Sequence, residues 1–389
     1  MHRELWRRIA FTLGALVVTR IGMAIPLPGI SADLLHGGGT ARVSILALSI
    51  TPYVAAALFM QLAALTLRRL RALRADGERG RRILERRTRL VAIAFAALQG
   101  LGVAYTLKGI EGAVTLPTSL FVASSIATLI AGMLFLVWLA DQITVRGIGN
   151  GIALLFLAKV AAEWMINTDV LHQLVQTGEV ANTAVMRLVL LIFAATIAVV
   201  AVELARRPVR VDFPAREVGG RTLPAQSVDL VVKLNPGGLL PAILLDSFGQ
   251  LSALEAGSAL ATAGTVLFVV MAVLVYTAFL YDPDRMAEDL HRHGGTLPGI
   301  APGEATATAL DHIISRVAIV GAVYLVLVLL LARLQSFHPG LPVDLDGMAL
   351  LVAVCVTIDL QAQVRAYLAR PARTDDANVL ADSSHGRQH

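Results

Sequence analysis

Apolar residues in this chain come in blocks of about 20, the length at which a helix crosses ~30 Å of hydrocarbon. Ten blocks are readable, at about 9–27, 44–66, 90–107, 119–140, 151–168, 185–204, 238–254, 260–281, 316–335 and 347–368. The block at 238–254 is the least regular, because proline and glycine interrupt it and Asp246 lies within it. The pattern predicts an all-α polytopic membrane protein with ten transmembrane helices. An even count divides into two halves of five, 1–168 and 185–370. An odd number of spans per half makes the halves inverted in topology, a common plan in transporters and channels. The polar stretch 371–389 reads as a disordered cytoplasmic tail.

Charge orients the blocks. Arginine crowds alternate connections: ten in 67–89, then Arg206, Arg207, Arg210, Arg216 and Arg221 with Lys233 in 205–237. Arg3, Arg7 and Arg8 precede the first block, and Arg365, Arg370 and Arg373 stand at the other end of the chain. The intervening connections are almost bare, with Arg42 in one and Lys108 in another. The positive-inside rule then places the basic loops and both termini in the cytoplasm. Loops 205–237 and 282–315 are long for a helical bundle, which marks them as docking sites.

Composition agrees. Of 389 residues 56% are apolar and 16% charged, with mean hydropathy +0.70, too little charge to cover a soluble protein of this length. The pI near 9.7 follows from the basic loops, so no direct nucleic-acid binding is inferred. Cys355 is the only cysteine; it forms no intrachain disulfide and reads as a small packing residue. The first block leads into PLPGI rather than a small-residue cleavage site, and so reads as a spanning helix, not a cleaved signal.

Several junctions are rich in glycine and proline. GIGNGI at Gly147–Ile152 allows a sharp turn between two spans, and Asn150 is placed to cap the following helix. SITPYV at Ser49–Val54 puts Pro52 within the second block, where a mid-helix proline removes a backbone bond and kinks the helix. KLNPGGLLPAIL at Lys233–Leu244 opens the seventh block with Asn235, Pro236, Gly237, Gly238 and Pro241, a poor rigid strut that suits a rocking segment. Each junction also reads as plain packing or turn geometry. Charges within the blocks are few: Arg20, Lys159, Glu163 and Asp246. Lys159 and Glu163 are four apart and can pair along one helix face. An ion path, a hydrated wall and self-neutralising pairs all remain open readings of these charges. The acidic and histidine residues of 281–306 have no metal-ligand spacing, and no nucleophile–base constellation is visible. No catalytic residue, metal or cofactor is expected.

In order along the chain, PLPGI (26–30), SILALSITPYV (44–54), DGERGRR (76–82), FLVWLADQITVRGIGNGI (135–152), KLNPGGLLPAI (233–243), YTAFLYDP (276–283), LPGIAPGEAT (297–306) and DGMALLVAVCVTIDLQAQV (346–364) resemble the SecY family, the channel subunit of the protein-export translocon. The resemblance implies a clamshell of two five-helix halves around an hourglass pore in the cytoplasmic membrane of a bacterium. By motif register the mid-membrane ring falls on Ile50, Val54, Phe156, Val160, Ile243 and Val352. All six are apolar here, as a leak-resistant constriction requires. A lateral gate between spans 2 and 3 and spans 7 and 8 is implied, with hinge positions at Pro52, Asn150 and the Asn235–Pro241 stretch. Implied partners are SecE-like and SecG-like membrane subunits, a SecA-type motor or a ribosome, the translocating polypeptide and the lipid bilayer. The motor or ribosome would dock on Arg206, Arg207, Arg210 and Arg216 and on Pro298, Gly299, Ala301, Pro302 and Gly303.

Three departures stand out against that resemblance. Residues 31–43 leave little room for the pore-sealing plug helix that the family carries there. Ala301 replaces the arginine of the family's PGIRPG motif, which puts ordinary SecA coupling in doubt. Lys159 stands where a glycine is usual. The expectation is a divergent or accessory channel subunit. Two rivals are kept: a nonconducting insertion factor, and a secondary transporter using Lys159, Glu163 and Asp246.

Overall fold

The computed structural model describes residues 2–31, 44–110, 112–218, 221–223, 225–235, 259–334 and 347–369. The expected seventh span lies outside these residues, with Pro236, Gly237, Gly238, Pro241, Ile243 and Asp246; so do residues 32–43 and the expected tail. The described helices are α1 (His2–Ala24), α2 (Thr51–Thr66), α3 (Arg68–Ala75), α4 (Gly77–Lys108), α5 (Thr118–Arg146), α6 (Gly151–Gln176), α7 (Asn182–Leu204), α8 (Ala259–Leu280), α9 (Pro283–Arg292), α10 (Glu304–Leu334) and α11 (Gly347–Ala369). The strands are β1 (Arg206–Phe213), β2 (Arg216–Val218), β3 (Arg221–Leu223) and β4 (Gln226–Lys233).

Seven helical stretches among the described residues have the length and apolar composition to cross a membrane. They lie in α4, α5, α6, α7, α8 with α9, α10 and α11. α1 and α2 coincide with two further apolar blocks of the sequence. α1 carries Arg3, Glu4, Arg7 and Arg8 in its first turns and Arg20 near its end, and α2 is only 16 residues long.

Three expectations change. The chain is mostly but not entirely helical: the supposed loop 205–237 folds into antiparallel strands, β1 on β4 and β2 on β3. Alternation in Val209-Arg210-Val211 explains why, since Val209 and Val211 turn inward while Arg210 faces out. The connections 67–89 and 282–315 are largely helical, because α4 and α10 continue past their apolar segments and α3 and α9 are helices of their own. Pro52 is not mid-helix. α2 begins at Thr51, so the proline sits in the first turn, where its missing N–H breaks no intrahelical bond and imposes no kink. A turn over 44–50 precedes it, with Ser49 at φ 52°.

The chain gathers into two compact units, one of 1–53, 89–164 and 355–389, the other of 54–88 and 165–354. In the first, α1 packs on α5. Gly132 lets the Ile45 carbonyl lie against α5 where any side chain would clash. Ala104, Leu107 and Phe121 bury a small core that also takes in Ile30 and Val114. In the second, α8 and α9 both pack on α10, and the absence of a side chain at Gly347 allows α11 to begin against the Val328 carbonyl.

Candidate functional site

The junction after α5 is fixed by hydrogen bonds from several helices of the first unit. Gly147 N donates to Ile143 O at 2.7 Å, closing α5. Ile148 N donates to the Thr12 hydroxyl of α1 at 3.0 Å, and Gly149 N to Gln363 Oε1 of α11 at 2.9 Å. Gly151 N donates to Thr144 Oγ1 at 2.9 Å. Asn150 Oδ1 accepts from Ile152 N at 3.0 Å, the N-cap that its residue type and position predict. Gly149 has φ +90°, a region glycine enters without strain. A side chain at Gly151 would strike the Ala140 carbonyl. The junction is thus held by side chains from α1, α5 and α11. Arg8 lies over the Tyr367 ring at 5.3 Å, a second link between α1 and α11.

Of the residues assigned to the apolar ring, Ile50, Val54, Phe156, Val160 and Val352 are all buried. Ile50 ends the turn that precedes α2 and Val54 lies in the first turn of α2, while Phe156 and Val160 are one turn apart on α6. Lys159 sits between the latter two, with Nζ 5.5 Å from the Phe156 ring centroid and 4.0 Å from Glu163 Oε1. The Lys159 and Glu163 side chains are 21% and 48% exposed, so the pair is long and incompletely enclosed by the chain. Arg20 is exposed on α1.

The two expected docking loops form one packed platform in the second unit. Val209 and Val232 of the hairpin share a core with Leu297 and with Leu310, Ile314 and Val317 of α10. Met286 and Leu290 of α9 pack against the same core. Asp212 and Thr296 exchange backbone hydrogen bonds, both 2.9 Å, and Gly295 leaves room for Phe213. Asn235 is buried and donates to Glu203 Oε1 at 2.8 Å, tying the hairpin base to the last turn of α7.

Outward from that core stand Arg206, Arg207 and Arg210. Arg210 Nε lies 3.5 Å from Asp212 Oδ1, which also accepts from Ser227 at 2.7 Å. Arg216 is on β2, paired by backbone with Leu223. Pro298, Gly299, Ala301, Pro302 and Gly303 form an exposed turn, with Gly299 at φ +74° and Gly303 at φ +101°. Thr306 Oγ1 fixes this turn to α10 by donating to Ala301 O at 2.9 Å. Two of the acidic residues nearby have ordinary partners: Asp282 caps α9 and pairs with Arg285 at 3.0 Å, and Glu288 pairs with Arg292.

Sequence reasoning missed Thr12, Thr144 and Gln363 at the junction, and Asp212 and Thr296 in the platform. Only the valine alternation of β1 carried a readable signal for the latter.

A membrane chain of long apolar helices, with one connection folded into a hairpin that packs on the next, is a polytopic helical protein with a built surface between its spans. Known proteins sharpen that class. The sequence model of the SecY family matches residues 44–361. The protein translocase subunit SecY of Escherichia coli is 32% identical over 94% of this chain and 92% of its own length. That of Thermus thermophilus is 34% identical over 94% and 93%. This chain belongs to the SecY family. In fold it is similar to a solved protein-conducting channel, with TM-score 0.62, 17% identity and 95% of each chain covered. It is similar also to the channel of a canine ribosome–channel complex from the endoplasmic reticulum, with TM-score 0.61, 16% identity and 95% of each chain covered.

Proposed function

We propose that this chain is the channel subunit of a protein translocase in the bacterial cytoplasmic membrane. It would pass unfolded polypeptides outward and release apolar segments sideways into lipid. Kinship to translocase subunits over 94% of the chain carries the reading. The burial of Ile50, Val54, Phe156, Val160 and Val352 supports their use as an apolar constriction with Ile243. Such a ring opposes wetting when closed and yields to a passing chain. In this reading ten spans form two inverted halves with both termini cytoplasmic, Asn235–Pro241 and the Pro52 turn bound the lateral gate, and SecE-like and SecG-like subunits flank the channel. The chain performs no chemistry; energy comes from a SecA-type motor or a ribosome on the hairpin platform.

The platform supports that docking role. Its arginines project from a packed core rather than from a free loop, so their spacing is fixed before a partner arrives. Ala301 then bears on which partner fits, because the exposed turn offers no guanidinium there. Short residues 31–43 and Ala301 favour, as a second reading, an insertion factor that keeps the gate but threads no chain.

Ion leak tests the constriction. Val352→Asn and Ile50→Asn in proteoliposomes are expected to raise ion conductance at rest, because a polar side chain wets the ring. Conductance equal to that of the parent in both variants contradicts the assignment.

A further inference from the structure

We propose that Lys159 is a positioning residue for the constriction: its ammonium, seated against the Phe156 ring, latches that ring in the closed pore. The inference rests on the reading of Phe156 as part of the apolar constriction.

Lys159 lies eight residues into α6, about 12 Å from its start, in a helix long and apolar enough to cross a membrane. A charge at that depth is costly unless the chain supplies it with partners. Two stand on the same helix face. Long helical side chains lean toward the N-terminus, over the residue three or four positions before. Lys159 leans on Phe156 in this way, with Nζ 5.5 Å from the ring centroid, inside the ~6 Å at which an aromatic face attracts a cation. Glu163 leans on Lys159 from the next turn, with Oε1 4.0 Å from Nζ. Ring, ammonium and carboxylate thus follow one another along a single stripe of α6.

Helix stability does not call for this pair, because lysine before glutamate is the weaker order at this spacing. Phe156 is the one aromatic among Ile50, Val54, Phe156, Val160, Ile243 and Val352, and so the one with a face to hold. Phe156 is 2% exposed and the Lys159 side chain 21%, so the contact is largely covered by the chain. A phenylalanine ring that swings about its Cα–Cβ bond opens a gap of its own width. Contact with the ammonium shifts the balance toward the held ring by about 2- to 30-fold, from the exposed to the desolvated limit. A passing polypeptide parts the ring from the ammonium, and Glu163 keeps the charge company meanwhile.

The test is the resting ion conductance of the full chain in proteoliposomes, with mono-, di- and trifluorinated phenylalanine in turn at position 156. Fluorine withdraws negative charge from the ring face and keeps the ring's shape, so the fold is retained. Conductance is expected to rise stepwise along the series, severalfold by its last member. The dependence is expected to vanish in Lys159→Met, which leaks with any ring, and to persist in Lys159→Arg, whose guanidinium also sits on aromatic faces. A flat series, with Ile50→Asn and Val352→Asn still leaky, overturns the latch and leaves the constriction standing. A flat series with those two variants as tight as the parent overturns the constriction and the latch with it. Leak in Lys159→Met alongside a flat series means that the lysine acts on passing ions by its charge, which also overturns the latch. Fluorine dependence that survives Lys159→Met belongs to ring packing and overturns the proposal.

Discussion

Thr12→Val probes how the α5–α6 junction is held. The Thr12 hydroxyl accepts from Ile148 N at 3.0 Å and donates to Arg8 O at 3.0 Å. Both Thr12 and Ile148 are buried. Valine has the same shape, so no cavity opens and α1 keeps its packing; what is lost is the acceptor. Ile148 N is left unpaired away from water, at a cost of about 1–3 kcal/mol. Applied to local opening, that cost lowers amide protection by roughly 5- to 150-fold. Hydrogen exchange followed by mass spectrometry reads it directly in a peptide covering 147–151. Gln363→Met is the internal control: Gly149 N is also bonded there, at 2.9 Å, but the site is exposed and water replaces the lost acceptor. Thr12→Val is expected to reduce protection several-fold more than Gln363→Met. Protection within twofold of the parent in Thr12→Val, or the reverse order of the two variants, refutes the idea that α1 holds the turn.

Other outcomes follow from the same geometry. Asn235→Ala strips a buried donor from the Glu203 carboxylate; a loss of about 1.5–3 kcal/mol is expected, visible as faster proteolysis of 206–233, and unchanged proteolysis would mean the hairpin base is held otherwise. For Lys159 and Glu163, at 4.0 Å and partly exposed, a double-mutant cycle is expected to give a coupling of about 0.2–1 kcal/mol, shrinking with salt; coupling above about 2 kcal/mol would restore the case for an ion site there.

The apolar blocks carried the helices, because a segment that must satisfy its own backbone in lipid has few alternatives to a helix. Asn150 was legible for a similar reason: a cap acts over two or three residues. What the pattern hid was either masked or distant. Counting arginines in 205–237 drew attention from the Val209/Val211 alternation that makes a strand. Pro52 looked mid-helix because apolar residues run through 45–50, although a turn there delays the helix to Thr51. Thr12 and Gln363 reach the junction across separations of 136 and 214 residues, and a threonine or glutamine carries no mark of such a partner. Arg206, Arg207, Arg210 and Arg216 were assigned to docking by loop length and charge together with the family resemblance. Their common platform with Pro298–Gly303 depends on tertiary packing of β1, β4, α9 and α10.

A channel of this kind requires that a polypeptide thread the apolar constriction. A photoreactive residue at 352, and separately at 54, in cells holding a stalled secretory chain tests it most directly. Crosslinks from both positions to the middle of the stalled chain are the predicted result. Crosslinks from exposed apolar positions such as Phe193 with none from 352 or 54 would contradict threading.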